Sequence, residues 1–159
     1  MTATHIKHAL LYYFRFKRQY ICASECMNND VMVIAKPGII EIEVKLSKSD
    51  LWIGEEKKDK HKRYKQNIEY GSCNWYIPNF FYICVPPELK EDAFKWVNSV
   101  NERYGVIVCK EREFIPYELI FYKHAELLKS NFDIEMKEKI MKRVCSENIG
   151  LIEQVLLRR

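Results

Sequence analysis

The sequence predicts an α/β (α+β) protein in which one mixed sheet is flanked by helices. Three observations support this fold class: strand-like runs rich in β-branched residues cluster between positions 20 and 45, segments with helical periodicity lie on both sides of them, and a continuous apolar run covers Phe80 to Val85. The chain has 159 residues, which is the size of one domain, so we expect a single domain over residues 1–159.

The first predicted elements are a helix and a β-meander. Residues 4–19 are predicted to form a helix that starts at Thr4, because Ile6, Leu10 and Tyr13 follow the spacing of one helix face. Lys36-Pro37-Gly38 supplies turn chemistry between two strand-like runs. Three consecutive strands are therefore predicted, over residues 20–25, 30–35 and 39–45.

The second half of the pattern alternates helices and strands. Ser47 or Ser49 can cap a helix that runs to about Gln66, and a run such as Phe80 to Val85, followed by Pro86-Pro87, is typical of a strand buried on both faces. The remaining predicted elements are a loop over 71–78, a helix over 88–104, a strand over 106–109, a short helix over 124–129 and a helix over 133–157 interrupted near Gly150.

Charge is unevenly distributed along the chain. The net charge is +4, yet residues 1–24 contain four Lys and Arg side chains and no acid, and residues 57–65 contain six bases against Asp59. Clusters of this kind suit a nucleic-acid phosphate backbone. A basic run is also commonly just the solvated face of a helix, so charge alone leaves both interpretations open.

Composition indicates a cytoplasmic protein with no membrane segment. The apolar runs are far shorter than the roughly 20 residues that span a bilayer, and the N-terminus does not resemble a secretory leader. Several of the six cysteines lie in strand-like runs, where a free thiol packs as a small hydrophobic group. Cys22 and Cys26 are closely spaced, but no second Cys/His pair at zinc-ligand spacing accompanies them.

The predicted strand over residues 39–45 carries an unusual polar face. Side chains alternate across a strand, so Glu41, Glu43 and Lys45 share one face. The simplest interpretation is that this face of an antiparallel strand lies in water. The acid-x-Lys pattern occurs five times in the chain, and only the copy at Glu43-Val44-Lys45 lies in a predicted strand.

A second acid is expected on the same face. If Pro37-Gly38 is a two-residue turn, Asp30 lies opposite Lys45 and Met32 opposite Glu43, although a bulge would shift this register. Mg²⁺ and Mn²⁺ prefer oxygen ligands and are typically held by one or two carboxylates. Asp30 and Glu43 are therefore candidate metal ligands, and Lys45 is placed to orient water or stabilise a developing charge.

These motifs, in this order, resemble the PD-(D/E)xK nuclease superfamily, and within it the MmcB-like DNA-repair proteins. The resemblance implies a restriction-endonuclease-like αβββαβ core over about residues 5–125, with extra C-terminal helices over about 126–159. The segments that carry it are Glu25, Asp30, Glu43-Val44-Lys45, Ser47 to Leu51 with the basic helix through Tyr64, Asn79 to Leu89 and Tyr104 to Val108.

The resemblance also implies a function: Mg²⁺- or Mn²⁺-dependent hydrolysis of phosphodiester bonds in DNA, in repair or processing. The implied catalytic residues are Asp30, Glu43, Lys45 and Glu25, and the implied metal ligands are Asp30, Glu43 and the backbone carbonyl of Val44. The implied nucleic-acid-binding residues are Lys57, Lys60, Lys62, Arg63 and Lys65.

Two features depart from the superfamily pattern. Asn29 stands where the motif name has Pro, and the first predicted helix has no acid, so Glu25 is assigned the first-motif role. An alternative is a catalytically inactive nucleic-acid-binding or scaffold protein with the same fold, and RNA cleavage is a further one. Trp52 or Trp75 would stack on unpaired bases or pack in the core, and His61 is expected at the surface.

Overall fold

The computed structural model describes residues 1–71, 76–112 and 117–157. Within these residues the chain forms a mixed α/β fold with a six-stranded sheet. The strands are β1 (Ile21–Cys26), β2 (Asn29–Ala35), β3 (Gly38–Val44), β4 (Phe80–Val85), β5 (Gly105–Glu111) and β6 (Tyr117–Lys123). The α-helices are α1 (Ala3–Tyr12), α2 (Lys60–Tyr70), α3 (Lys90–Val100) and α4 (Ile134–Leu157), with π-helical segments at Tyr13–Lys17 and Asp50–Glu55 and a 3₁₀ turn at Pro87–Leu89.

The sheet follows the strand order β1-β2-β3-β4-β5-β6. The first three strands form an antiparallel meander, β3, β4 and β5 are parallel, and β6 returns antiparallel to β5. β4 lies in the middle and is buried along almost its whole length, which confirms the prediction for Phe80–Val85. The predicted mixed sheet flanked by helices is also confirmed.

Helices cover both faces of the sheet. On one face, Ile6 and Leu10 of α1 pack against Val31 and Ile42. On the other face, α3 inserts Trp96 among the side chains of β4 and β5. The first half of α4 covers the start of the meander on that second face, with Met136 and Ile140 packed against Met32 and Ile39. No helix in the described ranges is long and apolar enough to cross a membrane.

The β2–β3 register differs from the predicted one. Ala35 pairs with Gly38 and Met32 with Glu41, so the two-residue turn is Lys36-Pro37 and the predicted pairing of Asp30 with Lys45 is wrong. Gly38 has a φ of 144°, and a Cβ there would lie 2.4 Å from the Asn79 side chain. Because Asn79 accepts a hydrogen bond from the Ile39 N–H at 2.8 Å, this close approach fixes Gly38 as the first residue of β3.

The predicted helix over residues 47–66 is two helical segments separated at residues 56–59. The break lets the chain turn back on itself, since the Lys58 N–H donates to the Glu55 carbonyl at 3.0 Å. As a result, Glu55, Lys58 and Lys60 all reach the same face of the sheet, which one continuous helix does not allow.

Three further predictions about the second half were wrong or incomplete. Strand β6 was missed because this edge strand is only half-buried and lacks a clear alternation. Residues 124–129 are not helical, since the Leu128 N–H donates instead to the Asn79 carbonyl. α4 is a single helix that continues through Gly150, where the surroundings are open and glycine costs helix stability without breaking the helix.

Two predictions concern residues outside the described ranges in part or whole. Half of the predicted loop over 71–78 falls on residues 72–75, which lie outside the described ranges, and Trp75 is among them. Trp52 is described: it is half-buried and packs against the core cluster around Leu51 and Trp96, which favours the packing interpretation for that residue.

Candidate active site

Three predicted acids lie in one row across the meander. The β1–β2 register pairs Ser24 with Val31 and Cys26 with Asn29, so the intervening Glu25 lies opposite Asp30. The β2–β3 register, extended by one residue beyond Val31 and Ile42, places Asp30 opposite Glu43. Although the predicted register was wrong, the prediction that Asp30 and Glu43 share one face was correct, because a register shift of two residues preserves the alternation of side chains.

The β1–β2 turn gives this row an unusual backbone. Met27 and Asn28 have φ values of 58° and 63°, as a two-residue type I′ hairpin turn requires. Glu25 has a φ of 48°, in the left-handed region that non-glycine residues rarely adopt. Strained positions of this kind persist only where their surroundings hold them. The Glu25 side chain forms an ion pair with Lys7.

Asp30 is held in its charged form. Its Oδ1 atom lies 2.7 Å from Nζ of Lys7, which α1 supplies, and its Oδ2 atom accepts a hydrogen bond from the Val44 N–H at 2.8 Å. Burial would raise the pKa of Asp30, but the Lys7 and Val44 hydrogen bonds outweigh it and lower the pKa. Lys7 also pairs with Glu25, so it bridges two of the three acids, a role that the sequence did not indicate.

The polar face of β3 is buried, which contradicts the interpretation of a strand face in water. Glu41, Glu43 and Lys45 are only 1%, 1% and 5% exposed. The segment from residue 50 to residue 64 covers them, with the buried hydroxyl of Tyr64 donating to Glu41 at 2.7 Å. Charges so completely removed from water are stable only when paired.

Two lysines of the basic run supply that pairing. The Lys60 Nζ atom lies 2.7 Å from Glu41, 2.5 Å from Glu43 and 3.2 Å from Glu55. The Lys58 Nζ atom lies 2.8 Å from Glu43 and 2.7 Å from Glu55. These carboxylates raise the pKa of Lys60 although burial opposes the shift, so its ammonium group stays charged.

Lys45 faces three carboxylates. Its Nζ atom lies 2.9 Å from Glu55, 3.5 Å from Asp50 and 3.7 Å from Glu43. Burial would lower the pKa of Lys45, but the charge and hydrogen bond of Glu55 outweigh burial, so the pKa is raised. Lys45 is therefore a fixed cation at neutral pH, suited to stabilise negative charge and not to accept a proton.

A buried chain of hydrogen bonds stands behind Lys45. Glu55 is fully buried, and its Oε1 atom lies 3.0 Å from Nε2 of His61, whose Nδ1 lies 2.8 Å from the Tyr104 hydroxyl. Burial would raise the pKa of Glu55, but the hydrogen bond of His61 and the charges of Lys60 and Lys45 lower it. His61 is buried, so the prediction of a surface position was wrong. Its helical spacing with Tyr64 and Ile68 was the available signal.

Among Asp30, Glu43 and Glu55, Glu43 is the acid whose pKa is raised. Burial, reinforced by the neighbouring Glu55 and Glu41, outweighs the attraction of Lys60 and Lys58 and raises the pKa of Glu43 to about 7. A side-chain hydrogen bond from Glu43 also contributes to the lowered pKa of Asp30.

This shift predicts a pH dependence of stability in metal-free protein. Because the pKa of Glu43 is higher in the folded chain than its ordinary value of 4.5, the folded state binds the proton more tightly. The stabilisation is complete below pH 4.5 and is lost as the pH rises to about 7, by roughly 1.4 kcal/mol per pH unit. Urea unfolding in EDTA should show wild type losing stability relative to Glu43→Gln over this interval. A constant difference would contradict the shift.

A cleft of about 410 Å³ opens beside Glu41, and the β1–β2 turn forms one of its sides. Glu25, Asp30 and Glu43 are not among the described residues that line it. Of the predicted nucleic-acid-binding residues, Lys60 and Arg63 line this cleft, while Lys57, Lys62 and Lys65 are exposed. Lys58 also lines it, next to Glu41 and Tyr64. The basic run is thus divided between the buried ion cluster, the cleft and the outer surface.

The donor chemistry fits a hard divalent cation. Among the described residues, no cluster of three or more His, Cys, Asp or Glu side chains has the geometry to hold a metal. Mg²⁺, however, commonly takes only one or two carboxylates, with water and substrate phosphate completing its shell. Asp30 and Glu43 would supply those two, and ammonium groups lie against both of them.

Comparisons with known proteins add no relative: the chain matches no family model, no curated protein and no solved structure.

Proposed function

We propose that this protein is a metal-dependent nuclease that hydrolyses phosphodiester bonds in DNA, in repair or processing. The observation that carries the proposal is the row formed by Glu25, Asp30 and Glu43 across three neighbouring strands, with Lys45 on the same face. The element order α1-β1-β2-β3-α2-β4 also agrees with the αβββαβ core that the PD-(D/E)xK resemblance implies. The shared order supports a restriction-endonuclease-like arrangement.

In this proposal Asp30, Glu43 and the backbone carbonyl of Val44 would hold Mg²⁺ or Mn²⁺. Such an ion, when bound, acidifies water and neutralises charge on a phosphate. Lys45 contributes a fixed positive charge, because Glu55 keeps it protonated and oriented.

The basic side chains of the cleft have a separate task in this proposal. Lys58 and Lys60 neutralise the acids in the absence of substrate, and they lie beside the cleft where phosphate oxygens would arrive. Either lysine can exchange a carboxylate for a phosphate without leaving the site. Arg63 lines the same cleft and offers a planar guanidinium that suits phosphate geometry.

A second candidate function is nucleic-acid binding without turnover. The observation that favours it is that all four carboxylate oxygens of Asp30 and Glu43 already have an ammonium or N–H partner. In a purely structural ion cluster, no cation from solution would be needed. The two functions differ in whether a divalent ion displaces these partners.

The deciding experiment is incubation of the full chain with labelled single-stranded, duplex, nicked and branched DNA and with RNA, in Mg²⁺ or Mn²⁺ and in EDTA. We expect cleavage of a DNA substrate that requires the metal. Cleavage that persists in EDTA would refute the metal assignment. No cleavage of any substrate, with binding retained, would favour the second function, and preferential cleavage of RNA would change the substrate.

The exposed part of the basic run predicts a salt effect on duplex binding. Lys57, Lys62 and Lys65 are exposed on one segment, so replacing all three by Gln should weaken binding regardless of sequence. Each lost phosphate contact should reduce the slope of log affinity against log salt by roughly 0.9.

The matched control for this prediction replaces three exposed lysines elsewhere, Lys36, Lys95 and Lys142, by Gln. It removes the same net charge from other parts of the surface. If both triple variants lower the slope equally, the 57–65 segment has no special role and the effect is one of net charge alone.

A further inference from the structure

A ladder of exposed rings runs along α1 and into the π-helical segment that follows it. His8, Tyr12 and Phe16 are spaced four residues apart, with centroid separations of 6.4 Å and 5.2 Å between successive rings. Tyr12 is 49% exposed and Phe16 is 66% exposed. A group of adjacent, solvent-exposed aromatic side chains indicates a binding surface, whereas a single exposed side chain does not.

Beside this ladder lies an aromatic slot of about 290 Å³ between α1 and β6. Its walls are held by further rings: Tyr117 stacks on His5 at 5.5 Å, and Tyr13 packs against Phe121 at 5.5 Å. The slot is therefore preformed, as ligand sites usually are. The side chains that line it include His8, Tyr12, Tyr13, Lys17, Tyr117 and Leu119.

The surroundings of the slot are positively charged. Residues 1–24 contain no acid, and Arg15, Lys17 and Arg18 are exposed next to the rings. The nearby acids of β5 and β6 are paired: Glu111 lies 3.5 Å from the N-terminal amine, and Glu118 pairs with Arg112. An anionic ligand would therefore meet little repulsion here.

This surface is distinct from the buried ion cluster of the candidate active site, although Lys7 of α1 reaches Glu25 and Asp30. α1 and β6 pack on the sheet face that carries Val31, Ile42 and Tyr82, whereas Glu41 and Glu43 belong to the opposite face. Lys17 and Phe16 also lie in a π-helical segment, an irregularity that is frequent where helices contribute to binding.

We propose that the aromatic slot takes a base of an unpaired nucleic-acid strand, while Arg15, Lys17 and Arg18 contact its phosphates. A nucleobase is flat, and stacking on aromatic side chains contributes about 1–3 kcal/mol per base whatever the sequence. An acidic peptide would match the charge but has no planar group to fill the slot. A base paired in a duplex cannot enter it, so this surface selects single strands.

Binding of a fluorescently labelled oligothymidylate of about ten nucleotides, measured by anisotropy in EDTA, tests the proposal independently of cleavage. Tyr12→Ala should lower the affinity by roughly 5- to 100-fold, since alanine preserves the helix and removes only a ring. Tyr70→Ala, which removes a still more exposed tyrosine at the end of α2, is the matched control and should bind like wild type.

Three ligands identify what the slot recognises. An abasic oligonucleotide of the same length keeps the phosphates and should bind more weakly than the oligothymidylate. The proposal would be overturned if the abasic strand bound as tightly as the oligothymidylate. It would also be overturned if a duplex bound as tightly, or a polyglutamate peptide more tightly, in a way that depends on Tyr12. Unchanged binding by a folded Tyr12→Ala protein, with folding established by circular dichroism, would overturn it as well.

Discussion

Replacing Asp30 by Asn is expected to abolish metal-dependent cleavage while leaving the fold and DNA binding intact. Asparagine keeps the shape of the side chain and an oxygen that accepts from the Val44 N–H, and Glu25 remains as a partner for Lys7. It removes the charge that a hard cation needs. The loss of rate should exceed the 10²- to 10³-fold effect typical of a single electrostatic contact in an active site.

The matched control for Asp30→Asn is Asp59→Asn. Asp59 lies in the break between the Asp50–Glu55 segment and α2, and it is 71% exposed and paired only loosely with Lys62 at 3.6 Å. The Asp59→Asn protein should cleave DNA at the wild-type rate. If Asp30→Asn retains full activity while Asp59→Asn behaves normally, the carboxylate row does not hold the catalytic ion, and the proposed mechanism fails whatever the substrate.

A variant of Lys45 needs a different design, because this side chain is buried. Lys45→Ala would remove one of the three lysines that neutralise the buried Glu55, and breaking a buried ion pair costs about 3–5 kcal/mol. Loss of activity would then be confounded by unfolding. Lys45→Gln keeps a donor within reach of Glu55 and removes only the charge, so a lowered kcat with little change in KM would assign Lys45 to the transition state.

The sequence contained much of the framework of this site. Alternation along residues 39–45 placed Glu41, Glu43 and Lys45 on one face, and turn chemistry returned Asp30 to the same face. The turn was misplaced by one residue, since Pro-Gly is found at many turns and the contact between Gly38 and Asn79 involves residues far apart in sequence. Moving the turn by one residue shifts the register by two residues, and because side chains alternate with a period of two, Asp30 stays on the same face.

The sequence did not predict which segment covers the polar face of β3. An alternating strand pattern distinguishes two faces of a strand but does not show which of them is exposed to solvent. Three charged residues on one face normally indicate that this face is solvent-exposed. Here the following segment supplies Glu55, Lys58 and Lys60, which compensate those charges in the interior. The same run of bases was therefore interpreted as a surface feature, although two of its members point inward.

The buried partners of Lys45 were missed for a similar reason. Tyr104 is far from Glu55 and His61 in sequence, and the spacing between Glu55 and His61 matches no motif. Their hydrogen-bonded connection depends on the break at residues 56–59, and this segment contains no Gly or Pro that would predict a break. Lys7 was missed because a lone lysine on an amphipathic helix ordinarily points to solvent.

These partners make Glu55 the next residue to test. Glu55→Gln keeps a side-chain oxygen for His61 but removes one of the negative charges that balance Lys45, Lys58 and Lys60. We expect the free energy of unfolding to fall by about 3–5 kcal/mol, the usual effect of leaving a buried charge uncompensated. Because folding lowers the pKa of Glu55 below its ordinary value of 4.5, this difference should persist at neutral pH and shrink only as the pH falls below that value.

The same substitution should alter the pH dependence of cleavage. Glu55 provides the largest favourable contribution to the raised pKa of Lys45, so its neutralisation should let Lys45 lose its proton at a lower pH, and the rate should decline earlier on the alkaline side. Glu56→Gln, the same change at the adjacent exposed residue, should match wild type in both stability and pH profile. A stable Glu55→Gln protein with an unaltered profile would show that Lys45 does not depend on Glu55. A destabilised Glu55→Gln protein with an unaltered pH profile of cleavage would show that Glu55 stabilises the fold but does not affect the protonation of Lys45.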